Sequence, residues 1–219
     1  MSGRMPEEAA EFSFLMRGLE ARYEKLAEVL TVRDIGLDTF HLEGLHRFGA
    51  KVYGLVAEFA ATSEVDRHKL ISLLFDVQWN AGYYRQVHLR PFTLRFSRLV
   101  FGPEAKQQGS ITPPRSNPSA AAFEVNAKAI NERLRFLGVR GATENKAQAI
   151  VSLGWACLRV RTIVESLVGS TAPPMDDIHR VLTASEQLGW WVDETYLWLH
   201  PLALRLVERE DRGEGLAHD

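Results

Sequence analysis

Arginine and aromatic side chains are interleaved along one stretch of the chain in a pattern that suits nucleic-acid binding. No Asp or Glu occurs between Val77 and Pro103, whereas four arginines, one histidine and six aromatic residues do. A guanidinium group can bind phosphate oxygens through paired hydrogen bonds, and an exposed aromatic ring can stack on an unpaired base. The candidate contacts in this stretch are Trp79, Tyr83, Tyr84, Arg85, His88, Arg90, Arg95 and Arg98.

The positive stretch continues into the second half of the chain, with Lys128, Arg133, Arg135 and Arg140 as further candidate contacts. Lys128 and Arg135 are seven residues apart, so they share one face of a helix and lie off its apolar stripe. We expect these side chains to extend a phosphate-binding surface. In the alternative interpretation, the aromatic residues belong to the core and the arginines form its solvated rim.

Charge is distributed unevenly over the whole chain. Residues 77–163 hold 13 of the 26 Lys and Arg residues but only four of the 28 Asp and Glu residues. The net charge of −2 therefore hides a basic middle between acidic ends. Such a separation sets up a field that can attract a polyanion or a second copy of the chain.

Three carboxylate-x-x-His pairs could bind metal, because both side chains of such a pair project from the same side of a helix, as in di-iron bundles. The pairs are Asp38/His41, Glu43/His46 and Asp176/His179. A two-metal site needs further inward carboxylates, and the sequence pattern does not identify them. We therefore predict no metal or other cofactor, and keep Glu43, His46, Asp176 and His179 as the alternative ligands.

The sequence contains none of the common catalytic motifs. It has no Gly-x-Ser-x-Gly, no phosphate-binding Gly-Lys-Ser/Thr loop, no Gly-x-Gly-x-x-Gly and no Cys-x-x-Cys. Its one cysteine, Cys157, lies in an apolar segment, where the reactive thiolate is disfavoured. These observations predict a protein that is not an enzyme.

The elements that position these side chains are predicted to be helices, because apolar residues recur at three- and four-residue steps through both halves of the chain. Ser63–Asp66 has the pattern of a helix N-cap, and Gly138 marks a helix end. Pro91 predicts a kink or a stop, and residues 92–98 are either helix or extended loop. Residues 143–169 are apolar nearly all round, which is typical of a central buried helix.

The predicted fold is all-α, with about six helices in one or two packed bundles joined by a Pro-rich linker. Three prolines and several small polar residues in residues 107–118 mark this linker or loop. It separates an N-terminal helical half, residues 1–106, from a C-terminal half, residues 119–207, whose last helix is predicted to kink at Pro201. Residues 208–219 are predicted to be a frayed acidic tail.

Length and composition suit a soluble protein with its own core. The chain has 219 residues, of which 46% are hydrophobic, and one cysteine, which fits a reducing compartment. Its first residues lack an apolar signal core, and its longest apolar stretches, about ten residues, fall short of the roughly 20 that cross a bilayer. We expect a cytoplasmic location without membrane contact.

The sequence thus favours a non-enzymatic helical protein that binds a nucleic-acid backbone through its basic middle segment. Contact with single strands or with the backbone alone fits the residue types, and DNA and RNA are equally compatible with them. A protein partner or a second copy is expected as well, within a larger nucleoprotein assembly. Two alternatives remain: an adaptor subunit whose basic segment docks on an acidic partner, and a metal-dependent helical-bundle enzyme.

Overall fold

The structure, a computed structural model, describes Arg17 and residues 35–101, 120–172 and 174–213. Within these residues the chain forms α-helices and no strand, which confirms the all-α prediction. The helices are α1 (Ile35–Ala61), α2 (Arg67–Tyr84), α3 (Arg90–Phe101), α4 (Ala120–Phe136), α5 (Thr143–Leu167) and α6 (Pro174–Asp211), and a π-helical turn, Arg85–Leu89, joins α2 to α3. The predicted linker at residues 107–118 and the end of the predicted tail lie outside the described residues.

Four helices form a ring around the core. Helix α1 packs on α2 and α5, and α6 closes the ring by packing on the same two helices. Helix α4 lies outside the ring, against α5 and α1. Buried side chains from both halves of the chain, such as Leu45, Leu74, Val160 and Leu188, belong to one core cluster. The two halves are therefore packed together rather than into separate bundles.

Two predicted helix boundaries are confirmed. The Asp66 carboxylate accepts a hydrogen bond of 3.1 Å from the Lys69 backbone N–H and caps the start of α2. Gly138 follows α4 with a φ of 73°, and the next N–H, that of Val139, donates to the Leu134 carbonyl oxygen at 3.0 Å. A left-handed residue at this position suits glycine, because a Cβ atom would clash with the backbone.

The residues around Pro91 form neither a stop nor an extended loop. The Arg90 N–H donates to the carbonyl oxygen of Arg85, five residues earlier, so the chain makes one wide turn just before the proline. Because Pro91 has no N–H to donate, this turn lets the helix continue where a regular α-helix would be interrupted. Phe92 and Phe96, four residues apart, then share the buried face of α3.

The end of α6 differs from the predicted frayed tail. The helix passes through Pro201 and continues to Asp211, so residues 208–211 are helical. Arg67 and His68, at the start of α2, lie 3.6 and 3.5 Å from the carboxylate of Glu210. These contacts join the last turn of α6 to the start of α2.

Helix α5 occupies the central position that its composition predicted. It contacts α1, α4 and α6. It is long and apolar enough to cross a membrane by length and composition, with a mean hydropathy of 1.2, but 56% of that stretch is buried inside the bundle. Burial of this kind is typical of a core helix.

Glycines allow α1 and α5 to approach closely. A Cβ atom at Gly49 would lie 2.9 Å from the backbone carbonyl oxygen of Cys157, and one at Gly154 would lie 3.0 Å from a methyl group of Val56. Gly54, on the same helix as Gly49, has no neighbour within 4 Å of such an atom. The contact thus requires glycine at Gly49, where the obstacle is backbone.

We expect Gly49→Ala to lower the free energy of unfolding by about 1–3 kcal/mol, because the new methyl group forces the two backbones apart. Gly54→Ala is the matched control, and it should raise stability by up to about 1 kcal/mol through helix propensity alone. Urea denaturation followed by circular dichroism measures both values. Equal effects at the two positions would contradict the close contact.

Candidate functional site

Four residues of the predicted basic stretch are exposed on the helical segment α2–π turn–α3. Arg90 and Arg98 are exposed there, together with Trp79 and Tyr83, which are 61% and 46% exposed. The Trp79 ring stacks on Phe75, with centroids 6.4 Å apart and planes inclined by 11°. We call Phe75, Trp79, Tyr83, Arg90 and Arg98 the outer face.

The other residues of this stretch turn toward the protein. The Tyr84 hydroxyl is buried and donates to the Leu45 carbonyl oxygen at 3.1 Å. Arg85 forms an ion pair with Asp193 of α6, and Arg95 is partly buried. Tyr84 therefore cannot stack on a base at the surface, and the charge of Arg85 is neutralised within the bundle.

His88, in the π turn, packs directly against the backbone of α1. A Cβ atom at Gly44 would lie 2.0 Å from its Nδ1 atom, so only glycine leaves room for the ring. The rings of Phe40 and Phe48 lie 4.8 and 5.4 Å from it, and His41 lies 6.1 Å away. Burial, together with the charge of His41, lowers the pKa of His88 to about 4. This imidazole is therefore neutral near pH 7 and adds no positive charge to a binding surface.

The low pKa of His88 gives a prediction about pH. As the pH falls below about 6.5, the unfolded chain takes up a proton at this residue before the folded chain does. The free energy of unfolding should therefore decrease between pH 6.5 and 4, by at most about 1.4 kcal/mol per pH unit from this group. Histidine side-chain NMR measures the pKa directly. A midpoint near 6.5 for His88 would contradict its burial.

Glu43 and His46, two of the alternative metal ligands, both lie on α1, and each contacts an ionisable side chain. His46 Nε2 lies 2.9 Å from Glu165 Oε1 of α5, and the same oxygen accepts a 2.8 Å hydrogen bond from Arg161 Nε. Partial burial opposes ionisation of Glu165, but the hydrogen bonds and the charges of Arg161 and His46 together outweigh it and lower the pKa of the carboxyl. Glu43 pairs with Arg47 at 2.9 Å. These contacts join α1 to α5 or stay within α1.

The second candidate metal pair, Asp176 and His179, is exposed in the first turns of α6. Within the described ranges, no three His, Cys, Asp or Glu side chains are grouped so that they could hold a metal ion. The described residues thus offer no support for a two-metal centre.

The candidate residues of α4 have different roles. Lys128 is exposed. Arg133 donates from Nε to the Thr62 carbonyl oxygen at 2.7 Å and from a terminal nitrogen to that of Ala129, also at 2.7 Å. Arg133 thus fastens α4 to the loop between α1 and α2. Arg135 and the nearby Arg140 instead line a groove at this end of the bundle.

This groove has a volume of about 1360 Å³ and lies between the turn that joins α4 to α5, the C-terminal half of α6 and the first residue of α2. We call it the cationic groove. Among the residues that the structure describes, Glu208 is its one acidic lining residue, against seven basic ones: Arg67, Arg135, Arg140, Lys146, Arg205, Arg209 and Arg212.

One wall of the groove is a stripe along α6. Trp198, Leu202, Arg205, Arg209 and Arg212 all line the groove and follow one another at three- and four-residue steps. The first four therefore share one face of α6, which extends over about 17 Å at 1.5 Å per residue, and Arg212 follows directly after the end of the helix at Asp211. The sequence prediction missed these arginines, because Glu208, Glu210 and Asp211 are adjacent to them in the chain and cancel their charge in a sum over the segment. Helical spacing was the available signal.

Several of the lining cations have no carboxylate partner. Arg135 pairs with Glu144 at 3.1 Å, and Arg67 lies 3.6 Å from Glu210. By contrast, three exposed arginines form no ion pair with any carboxylate in the described part of the chain: Arg140, Arg205 and Arg209. An anion that enters the groove therefore meets three arginines that form no ion pair among the described residues.

Two aromatic side chains also line the groove. Phe136, the last residue of α4, is 39% exposed. Trp198 is partly buried, and the Lys146 ammonium lies 5.9 Å from its ring centroid. The same ammonium donates to the Arg140 carbonyl oxygen at 2.9 Å, which holds it in place. The groove thus combines unneutralised cations with one accessible aromatic ring.

Comparison of the chain with protein-family models, with curated proteins and with solved structures gives no match. The fold and the site define the molecule as an all-helical bundle with a cationic groove at one end.

Proposed function

We propose that this protein is a non-enzymatic nucleic-acid-binding protein, and that the phosphate backbone of its ligand lies in the cationic groove. The observation that carries the proposal is the lining of seven basic residues against one acidic residue. Exposed arginines suit phosphate because the guanidinium group is always charged and donates in a fixed fork geometry. The larger nucleoprotein assembly expected from the sequence remains a prediction.

A groove favours such binding more than the outer face does. Concave surfaces lined by one sign of charge focus the electrostatic field and raise the local concentration of the opposite ion. The outer face does not line the groove, and its two exposed arginines are separated from each other by about two turns of helix. Arg135 and Arg140, which the sequence singled out, contribute to the groove, whereas Arg90 and Arg98 do not line it.

We expect binding of nucleic acid to weaken steeply with salt. Three arginines that each neutralise one phosphate of a single strand give a slope of about −2 in log K against log salt, or a loss of about twenty-fold between 50 and 200 mM. Arg205→Ala/Arg209→Ala should weaken binding at 50 mM salt and reduce the slope by roughly 0.7 per residue. Fluorescence anisotropy with labelled oligonucleotides measures both quantities.

Arg90→Ala/Arg98→Ala is the matched control, since it removes the same charge from exposed positions outside the groove. This variant should keep both the affinity and the salt slope of the unmodified protein. The reverse result, with loss in the control and none in the groove variant, would place the binding surface on the outer face. Circular dichroism spectra that match that of the unmodified protein would show that both variants fold.

A second candidate function, as a protein-interaction subunit, is favoured by exposed aromatic side chains. Phe40 is 47% exposed, and it lies on the same side of the bundle as Tyr83, since both rings contact His88. Trp79 adds to this surface. Exposed aromatic groups are common anchors at protein interfaces.

If this second function holds with a second copy of the chain as the partner, the protein should form an oligomer in which Trp79→Ser reduces the measured mass, while no nucleic acid binds at low salt. Light scattering coupled to size exclusion measures the mass. A monomer that binds oligonucleotides would rule out self-association through this surface.

A further inference from the structure

We infer that the cationic groove binds single-stranded rather than duplex nucleic acid, and that a base of that strand stacks on Phe136. The inference rests on the proposed function and specifies its ligand class. It starts from a property of the groove that phosphate binding alone does not explain, which is the presence of an exposed aromatic ring among the basic side chains.

Phe136 occupies a position from which stacking is possible. It is the last residue of α4, directly after Arg135, and its side chain is 39% exposed although it lines the groove. Leu137, the next residue, is 1% exposed and belongs to the core, so the two adjacent side chains differ in their environment and only Phe136 faces the groove as an exposed ring. The exposed ring leaves apolar surface in contact with water. A ligand that covers the ring removes this surface from water, which favours binding.

Trp198 does not offer the same opportunity. Its ring is partly buried against the core, and the Lys146 ammonium lies over it at 5.9 Å from the centroid. Because the Arg140 carbonyl oxygen holds this ammonium, the cation covers the ring and presents its charge to the groove instead. The accessible flat surface in the groove is therefore that of Phe136.

The combination of cations and one accessible ring discriminates between nucleic-acid forms. In a duplex the bases are stacked on one another, so a ring beside the backbone finds no base to stack on. In a single strand the bases are splayed, and one base can lie on an aromatic ring while neighbouring phosphates contact arginines. Arg205 and Arg209 would then hold the backbone while Phe136 receives a base.

The test measures affinity for four probes at 50 mM salt by fluorescence anisotropy, directly for labelled oligonucleotides and by competition for polyphosphate. The probes are a single-stranded DNA and a single-stranded RNA of one mixed sequence, the blunt duplex of that DNA, and inorganic polyphosphate, which carries the charge without bases. Phe136→Ala should weaken binding of the single strands roughly tenfold and leave duplex and polyphosphate unchanged. Comparison of the two single strands distinguishes DNA from RNA as the preferred source of the base.

Two further variants serve as controls. Phe136→Tyr keeps a flat ring and should retain single-strand affinity, whereas Trp79→Ala removes an exposed ring outside the groove and should have no effect. Equal affinity for single strand and duplex, unchanged by Phe136→Ala but lowered by Arg205→Ala/Arg209→Ala, would overturn the inference and leave the proposed function standing. Absence of binding to all four probes would overturn both.

Discussion

The close approach of α1 and α5 is the constraint on which the rest of the bundle depends. Gly49 packs against the backbone of Cys157, and Gly154 packs against the Val56 side chain. Farther along the same antiparallel interface, His46 forms a hydrogen bond with Glu165. Helix α5 also packs against α4 and against α6. The turn that joins α4 to α5 and the C-terminal half of α6 form two walls of the cationic groove. The packing of α5 against α4 and α6 therefore sets the distance between these walls.

Local features of the structure could be predicted from the sequence, and assembled features could not. The helix start after the Ser63–Asp66 pattern and the helix end at Gly138 depend on a few adjacent residues, and both were predicted correctly, although the capping residue is Asp66 at the end of that pattern. The π turn was missed, because it depends on Pro91 together with the burial of Phe92 and Phe96, which a linear pattern does not contain. The period-two alternation of residues 92–98 instead suggested an extended segment as one possibility.

The groove could be predicted only in part for the same reason. Its lining comes from Arg67, from residues 135–146 and from residues 198–212, which are distant in sequence. The basic middle of the chain supplied Arg135, Arg140 and Lys146, while Arg85 and Arg133 of the same segment make contacts that hold the bundle together. Part of the sorted charge is thus neutralised internally between helices. The exposed arginines that form no ion pair among the described residues line the cationic groove, and two of them, Arg205 and Arg209, come from the acidic C-terminal segment.

The π turn has a consequence for the phase of the helix that follows it. Each residue of an α-helix advances the direction of its side chain by about 100°. If residues 85–89 closed into regular α-helical turns, α3 would rotate by roughly that angle, and Phe92 and Phe96 would leave the core. The extra residue in this turn therefore sets the rotation of α3, and the exposure of Arg98 is fixed by the same register. A one-residue insertion or deletion in this turn would rotate α3, up to Phe101, relative to the core.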